Sequence, residues 1–291
     1  MKEKRILVFG GGGNLGSSLC PYLKIIGNNV KTIGRNESND FVIKTYSMRS
    51  IENVVKNYRP NTIINLAAET NVDKCEILVE HATKANTILP SLINTTIKNH
   101  GSDSIHLIQI STDQVYDGTG NHIEEIVCPV NVYGLTKLAG EMALDSRWTT
   151  ILRVNFFGRS MDEKKESFSD WIVNSLRQQK KITLFNDVKF NAIHKSTLCK
   201  IIDNFINTKL TGIFNLGSIN GISKYEFAVN IANLLNLSIK SASIGKLSDS
   251  SQLVRRPINM TMNIDRVKKT IIFDAPFIED EIIKTAKEYN E

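Results

Sequence analysis

The chain has 291 residues, 41% of them hydrophobic and 23% charged, which suits a globular protein long enough for one large or two interleaved domains. Its net charge of +6 is spread over distant doublets (Lys164-Lys165, Lys180-Lys181, Arg255-Arg256, Lys268-Lys269) with no basic stripe among aromatics, so small anionic ligands are expected and nucleic acid is not. No stretch nears the ~20 apolar residues of a membrane span, the apolar run at 6–9 is too short for a signal peptide, and the four cysteines show no Cys-x-x-Cys spacing. The expectation is a reduced cytoplasmic protein with no membrane partner.

In chain order, strand-like and helix-like segments alternate. Residues 5–9 read as a strand, 15–26 as a helix, 29–33 as a strand and 41–43 as a short strand. Residues 50–58 read as a helix that stops before Arg59-Pro60, and 62–66 as a strand. Residues 77–99 read as one long helix, with Pro90 expected to kink it or sit on a permissive face. Residues 106–110 form a strand running into Ser111-Thr112-Asp113, 133–144 a helix and 149–154 a strand. This alternation predicts an α/β fold, a Rossmann-type doubly wound parallel sheet over 1–155. Beyond Asn155 the rhythm loosens. The charge run 162–166 reads as a mobile loop, 168–177, 224–235 and the tail from 277 as helices, and 213–216 as a strand. Residues 156–291 are read as a smaller, mainly substrate-binding lobe, with some segments returning to the first domain.

The first strand ends in Gly10-Gly11-Gly12-Gly13-Asn14-Leu15-Gly16. Two registers fit: Gly11, Gly13 and Gly16 make Gly-x-Gly-x-x-Gly, while Gly10, Gly13 and Gly16 make Gly-x-x-Gly-x-x-Gly. In either, glycine lets the backbone turn tightly and approach a dinucleotide diphosphate at the start of a helix, with Asn14 and Leu15 inside the turn. About twenty residues on, the second strand ends in Gly34-Arg35, where an acid would accept a ribose hydroxyl and an Arg favours a 2′-phosphate. NADPH is therefore expected, with NADH also acceptable; the alternative is a surface Arg in a turn. Tyr133 and Lys137 stand four apart, on one face of a helix, where an ammonium can tune a phenol as acid or base. Ser111-Thr112 supplies a third hydroxyl.

With these motifs in place, the chain resembles the extended short-chain dehydrogenase/reductases, and within them the dTDP-4-dehydrorhamnose reductase family. The matching strings are the glycine run, Arg59-Pro60, Asn65 to Glu76, Ser111 to Gly118, Asn131 to Glu141, Arg153, and Arg256-Pro257-Ile258-Asn259. The resemblance implies that Thr112, Tyr133 and Lys137 are catalytic and that Tyr133 and Lys137 also hold the nicotinamide ribose. It implies that Ala67 and Ala68 line the nicotinamide, and that Asn86 steadies Lys137 through a relay. Val72, Asp73 and Asp113 would lie near the substrate sugar, and Arg256 and Asn259 near the substrate nucleotide or its diphosphate. The implied activity is NADPH-dependent reduction of a nucleotide-linked 4-keto-6-deoxy sugar, with hydride to C4 and Tyr133 as proton donor, for surface polysaccharide or glycoconjugate synthesis. A homodimer is the family's expected state.

Some positions depart from the family pattern. Phe156 stands where a Trp is common, Lys44 where an acid often follows the third strand, Ala192-Ile193 where many members have Pro-Thr, and Met260 in place of a Ser. Two other readings share the fold. One is a nucleotide-sugar epimerase or dehydratase, although Gln114 stands where a dehydratase carries an acid. The other is a non-catalytic dinucleotide-binding subunit, since the regulatory subunit of methionine adenosyltransferase resembles the same family. No metal is expected: His194 has no second ligand at suitable spacing, and Glu76 and Glu141 are read as capping or pairing groups.

Overall fold

The computed structural model describes residues 4–100, 104–162, 166–250 and 254–290. Residues 163–165 of the charge run, read above as a mobile loop, lie outside them. The chain forms two compact units. The first is Met1–Thr112, Asn131–Arg153 and Cys199–Phe214; the second is Asp113–Val130, Val154–Leu198 and Asn215–Glu291. The division is therefore not one cut near residue 155. Residues 113–130 join the second unit, and 199–214 return to the first.

The first unit is built on a seven-stranded sheet. Its strands are β1 (Arg5–Phe9), β2 (Asn29–Gly34), β3 (Phe41–Val42), β4 (Thr62–Asn65), β5 (His106–Ser111), β6 (Thr149–Val154) and the later strand Gly212–Leu216. Their order is Gly212–Leu216, β6, β5, β4, β1, β2, β3. β1 pairs in parallel with β2 and β4, β2 with β3, β4 with β5, and β5 with β6. Every residue of β4, β5 and β6 is buried, as expected for parallel strands covered on both faces. This is the Rossmann-type doubly wound fold. The order reverses between β1 and β4, and such a switch point opens a ligand crevice beyond the strands' carboxyl ends.

The helices are α1 (Gly16–Ile25), α2 (Met48–Tyr58), α3 (Val72–Ile77), α4 (Val79–Thr83), α5 (Leu89–His100) and α6 (Val132–Met142). α2 shows how sequence sets these elements. Ser47 and Ser50 form a reciprocal cap at its start, Ile51, Val54 and Val55 bury one face, and left-handed Arg59 (φ 51°) ends it before Pro60. That face packs into a core with Leu7, Ile33, Ile63 and Ile93.

The helix read over 77–99 differs in detail. α3 ends at Ile77, the chain breaks at Leu78, and α4 leads through a π-helical turn, Lys84–Ile88, into α5. Pro90 explains that turn. A proline has no N–H for the carbonyl four residues back, and its ring crowds that carbonyl, here Asn86 O. Widening the backbone to a π turn accommodates it.

The second unit has its own core, including Phe157, Leu176, Phe190, Phe227, Ile278 and Ile282. Short strand pairs brace it: 156–157 with 193–194 in parallel, 189–190 with 222–223 antiparallel, and 182–185 with 242–245 in parallel. Helices Phe168–Arg177 and Lys224–Leu234 each open on a capping box, Ser167/Asp170 and Ser223/Glu226.

Candidate active site

In the first unit, the glycine turn leaves β1 at Gly10, with φ at +79°. A Cβ at Gly10 would lie 2.8 Å from Ala67 N, so the chain after β1 and the chain after β4 meet closely at the switch point. A Cβ at Gly16 would lie 2.5 Å from Gly11 O, and at Gly11 2.5 Å from Thr32 Cγ2. Gly13 N donates to Gly10 O at 3.0 Å and closes the turn. α1 then begins behind Leu15 with no side-chain cap, and buried Leu15 anchors the turn. Asn14 Oδ1 is buried without a hydrogen-bond partner. An uncapped helix start, a glycine cradle and an orphaned polar atom together fit a dinucleotide diphosphate.

Arg35 is exposed just beyond β2. Its carbonyl accepts from Lys44 Nζ at 3.0 Å, and Lys44 pairs with Glu37 at 2.8 Å. Lys44 thus neutralises the nearby acid and leaves the basic character of this rim to Arg35.

Thr112 follows β5 directly and is buried. Tyr133 and Lys137 sit one turn apart on α6, 7% and 5% exposed. The start of α6 is held twice: Asn131 Oδ1 accepts from Gly134 N at 2.9 Å, and Glu76 Oε2 accepts from Val132 N at 3.2 Å. Lys137 Nζ donates to Ile110 O at 2.7 Å, which fixes the ammonium beside the β5 end that carries Thr112. Burial pulls the Lys137 pKa down to about 8, with the Glu141 charge opposing. The group is therefore still charged at neutral pH.

Behind this pair, Arg153 grips Glu141 through its NH2 at 2.6 Å and its Nε at 3.1 Å, with both side chains 3% exposed. The Ser111 hydroxyl donates to the same carboxylate. The ends of β5 and β6 are thereby tied to α6. Asn86 Oδ1 accepts from Glu69 N at 2.9 Å, and its Nδ2 donates to Glu69 O at 3.0 Å and Thr136 Oγ1 at 3.1 Å. Asn86 thus reaches the neighbour of Lys137 rather than Lys137 itself. Ala67 and Ala68 are half-buried after β4. Val72 is buried and Asp73 exposed at the start of α3, where Asn71 caps Lys74 N at 2.9 Å.

In the second unit, Asp113 is 2% exposed and accepts from Asn155 Nδ2 at 2.7 Å. Phe156 is half-buried and pairs with Ile193. Asn259 Nδ2 donates to Thr119 O at 2.8 Å, while its Oδ1 accepts from Thr261 N at 3.1 Å and Oγ1 at 2.9 Å. It braces these loops and keeps one amide hydrogen for another partner. Asp117 accepts from Ile258 N at 2.9 Å and pairs with Arg255 at 3.0 Å, holding the Arg-Pro-x-Asn string. Arg256 lines a recess shared with Gln114, Phe185, Met260 and Lys224. Lys224 was not anticipated. Its one signal in the sequence is a cation just after Ser223 in a Ser-x-x-Glu box, where the helix dipole disfavours it.

His194 is a buried structural residue of the second unit, its ring bonded to Ser196 Oγ at 2.7 Å and its backbone N to Glu281 Oε2 at 2.6 Å. Among the described residues no group of three or more His, Cys, Asp or Glu is arranged to hold a metal ion, and no helix is long and apolar enough to cross a membrane.

The family model described as RmlD substrate binding domain matches residues 4–291. A dTDP-4-dehydrorhamnose reductase from Aggregatibacter actinomycetemcomitans is 27% identical over 287 residues, covering 91% of this chain and 92% of that one. The beta subunit of methionine adenosyltransferase 2 from Bos taurus is 25% identical over 288 residues, covering 91% and 82%. Among solved structures, a dTDP-4-dehydrorhamnose reductase from Bacillus anthracis in complex with NADP superposes with a TM-score of 0.87 at 22% identity, covering 98% of this chain and 99% of that one.

Proposed function

Because the chain belongs to the RmlD substrate binding domain family, we propose that it reduces a nucleotide-linked 4-keto-6-deoxy sugar with NADPH, in the cytoplasm, for glycan synthesis. It is an oxidoreductase acting on a sugar nucleotide, as are its reductase relatives. The observation that carries the reading is the gathering of Thr112, Tyr133 and buried Lys137 at the end of β5 and on α6, in the unit that holds the glycine turn.

A bound reduced nicotinamide would supply the hydride for the sugar C4. Tyr133 gives its phenolic proton to the forming alkoxide, so the carbonyl gains one hydride and one proton. Thr112 donates a hydrogen bond to the same oxygen. The Lys137 ammonium stabilises the phenolate left behind and holds the nicotinamide ribose. Arg35 receives the 2′-phosphate, and Asn14 with the turn around Gly10, Gly11, Gly13 and Gly16 receives the diphosphate. In the first unit Ala67 and Ala68 would line the nicotinamide, with Val72 and Asp73 for the sugar; in the second unit Asp113 and Phe156 are assigned to the sugar and Arg256 and Asn259 to its nucleotide.

A second reading draws on the similarity to the methionine adenosyltransferase subunit: a dinucleotide-binding subunit without turnover. One experiment separates the readings. NADPH deuterated at the transferred position is supplied with a panel of nucleotide-linked 4-keto-6-deoxy sugars. One NADPH oxidised per sugar, with deuterium on C4 and an unlabelled C6 methyl, is the expected result. Product without net cofactor oxidation would move the chain to the epimerase or dehydratase class. Tight NADPH binding with no sugar turned over would favour the subunit reading.

A further inference from the structure

The doublet Lys180-Lys181 has no part in the reductase reading. The helix Phe168–Arg177 accounts for Lys180, since a cation just past a helix end offsets the negative end of its dipole. Lys181 has a different setting. With Gln179, Ser238, Lys240, Ser241 and Ser243 it lines an open cleft of about 530 Å³ in the second unit, where Ala242 is the one apolar residue of the lining. That volume lies within the usual range of small-molecule sites, roughly 300–1,000 Å³. The cleft borders the parallel strand pair 182–185 with 242–245, and Ile182 N donates to Ser241 O at 3.2 Å just before that pair begins.

Three observations define what the cleft would take. The first is charge. The stretches that supply the lining, 171–186 and 227–248, contain no acid, but carry Arg177, Lys180, Lys181, Lys240 and Lys246. Lys181 and Lys240 form no ion pair among the described residues. The second is an orphaned donor. Ser241 Oγ is buried with no hydrogen-bond partner, whereas the Ser243 hydroxyl is already engaged with Thr183 Oγ1 at 3.2 Å. A buried hydroxyl left unpaired is unfavourable, and a ligand oxygen would satisfy it. The third is the kind of surface. Hydroxyls and the Gln179 amide both donate and accept, which suits a polyhydroxylated body. No aromatic side chain lines the cleft, so a nucleobase would find no ring to stack on.

We propose that this cleft is a second ligand site, separate from the nucleotide-sugar site, and that it binds a phosphorylated sugar carrying no base. The Lys181 and Lys240 ammoniums act as point charges on the phosphate. Ser241 donates its hydroxyl to a ligand oxygen, and Ser238 and Gln179 meet the sugar hydroxyls. The site stands whether or not the chain reduces a keto-sugar, because none of its residues belongs to the set assigned to that reaction.

The test is calorimetric titration of the intact protein with glucose 1-phosphate, inorganic phosphate, glucose and uridine monophosphate, joined to hydrogen exchange read peptide by peptide. The proteins are wild type, the double variant Lys181→Gln/Lys240→Gln, and Ser241→Ala. Wild type binds glucose 1-phosphate at least about tenfold more tightly than phosphate or glucose alone, and exchange slows in the peptides covering 179–183 and 238–244. The double variant weakens this binding roughly tenfold or more, and Ser241→Ala weakens it about two- to tenfold, the sizes of lost charge-assisted and neutral hydrogen bonds. NADP⁺ affinity stays at the wild-type value in all three proteins. Without ligand, Ser241→Ala melts at the wild-type temperature or higher, because an unsatisfied buried hydroxyl is gone. The inference is overturned by any of four results: no glucose 1-phosphate binding by wild type, affinity within twofold of wild type in the double variant, an equal loss for NADP⁺, or slowed exchange only outside these two stretches. Inorganic phosphate binding as tightly as glucose 1-phosphate, or uridine monophosphate binding more tightly with the same peptides slowed, overturns the assignment to a sugar. Failure of the reductase reading shows elsewhere, as keto-sugar left unreduced while glucose 1-phosphate still binds through Lys181 and Lys240.

Discussion

Gly140 is the position at which a single methyl group tests how the helix carrying Tyr133 and Lys137 is placed. It lies on α6, one turn beyond Lys137, against the Asn86 carbonyl that the Pro90 ring obliges the neighbouring helix to turn outward. A Cβ at Gly140 would stand 2.0 Å from Asn86 O, about 1 Å inside the 3.0 Å limit that real Cβ atoms respect. Helix preference alone would favour alanine there by about 1 kcal/mol. Overpacking against backbone typically costs about 1–3 kcal/mol, and sometimes more, because no flexible side chain can give way. The clash therefore wins, and α6 must shift by an ångström-scale step that carries Tyr133 and Lys137 with it. Misplacement by about 1 Å can cost on the order of a hundredfold in rate. Gly140→Ala should lower the melting temperature and reduce kcat far more than it weakens NADPH binding, measured by thermal melts, NADPH oxidation with the keto-sugar and cofactor titration. Wild-type stability together with wild-type kcat would refute the packing argument.

Tyr133→Phe keeps the ring and removes the proton donor, so turnover should fall about 10²–10⁴-fold with little change in NADPH affinity; a variant keeping more than about half its activity contradicts the role. Arg35→Ala should weaken NADPH binding by roughly 1.5–3 kcal/mol while leaving NADH binding nearly as it was; equal losses in paired titrations would refute the 2′-phosphate contact. Burial pulls the Lys137 pKa down to about 8 from the 10.5 of a free lysine, so its burial destabilises the fold below about 8 and that effect fades as pH rises to 10.5. Wild type should therefore gain up to about 3 kcal/mol of stability relative to Lys137→Met between about pH 8 and 10.5 in paired melts, on top of a constant offset from the lost Ile110 contact; a pH-independent difference would refute the shift.

Much of the fold was legible because its signals are local. The parallel strands read as short apolar runs, and the glycine turn, Arg59-Pro60 and the Ser-x-x-Glu box at Ser223 punctuate the chain. The break at Leu78 was not legible. Ile77, Leu78 and Val79 are apolar yet exposed, and no glycine or proline marks the end of α3. That some later segments return to the first unit was expected, but which ones was not legible, because nothing in the strings 113–130 or 199–214 states which core they join. Thr112, Tyr133 and Lys137 were singled out from two short strings. The grip of Arg153 on Glu141 was not, since partners on a strand and a helix meet only through the fold. Lys224 was placed at a helix start, but its meeting with Arg256 depends on how the second unit folds.

The polar groups behind α6 have a physical logic of their own. A buried ion pair adds little net stability, because desolvation offsets the attraction, yet removing one partner alone typically costs about 3–5 kcal/mol. Glu141 with Arg153 is of this kind, and Ser111, Lys137 with Ile110 O, and Asn86 with Thr136 and Glu69 add buried hydrogen bonds around it. Apolar packing would hold α6 about as firmly and would tolerate small slides along the helix axis. Hydrogen-bonded buried groups do not, since a slide of one residue leaves several of them unsatisfied at once. The arrangement therefore fixes the register of α6 against β5 and β6, and with it the placement of Tyr133 on α6. Where chemistry needs a proton donor placed to a fraction of an ångström, directional bonds behind the helix achieve what a larger hydrophobic face would not.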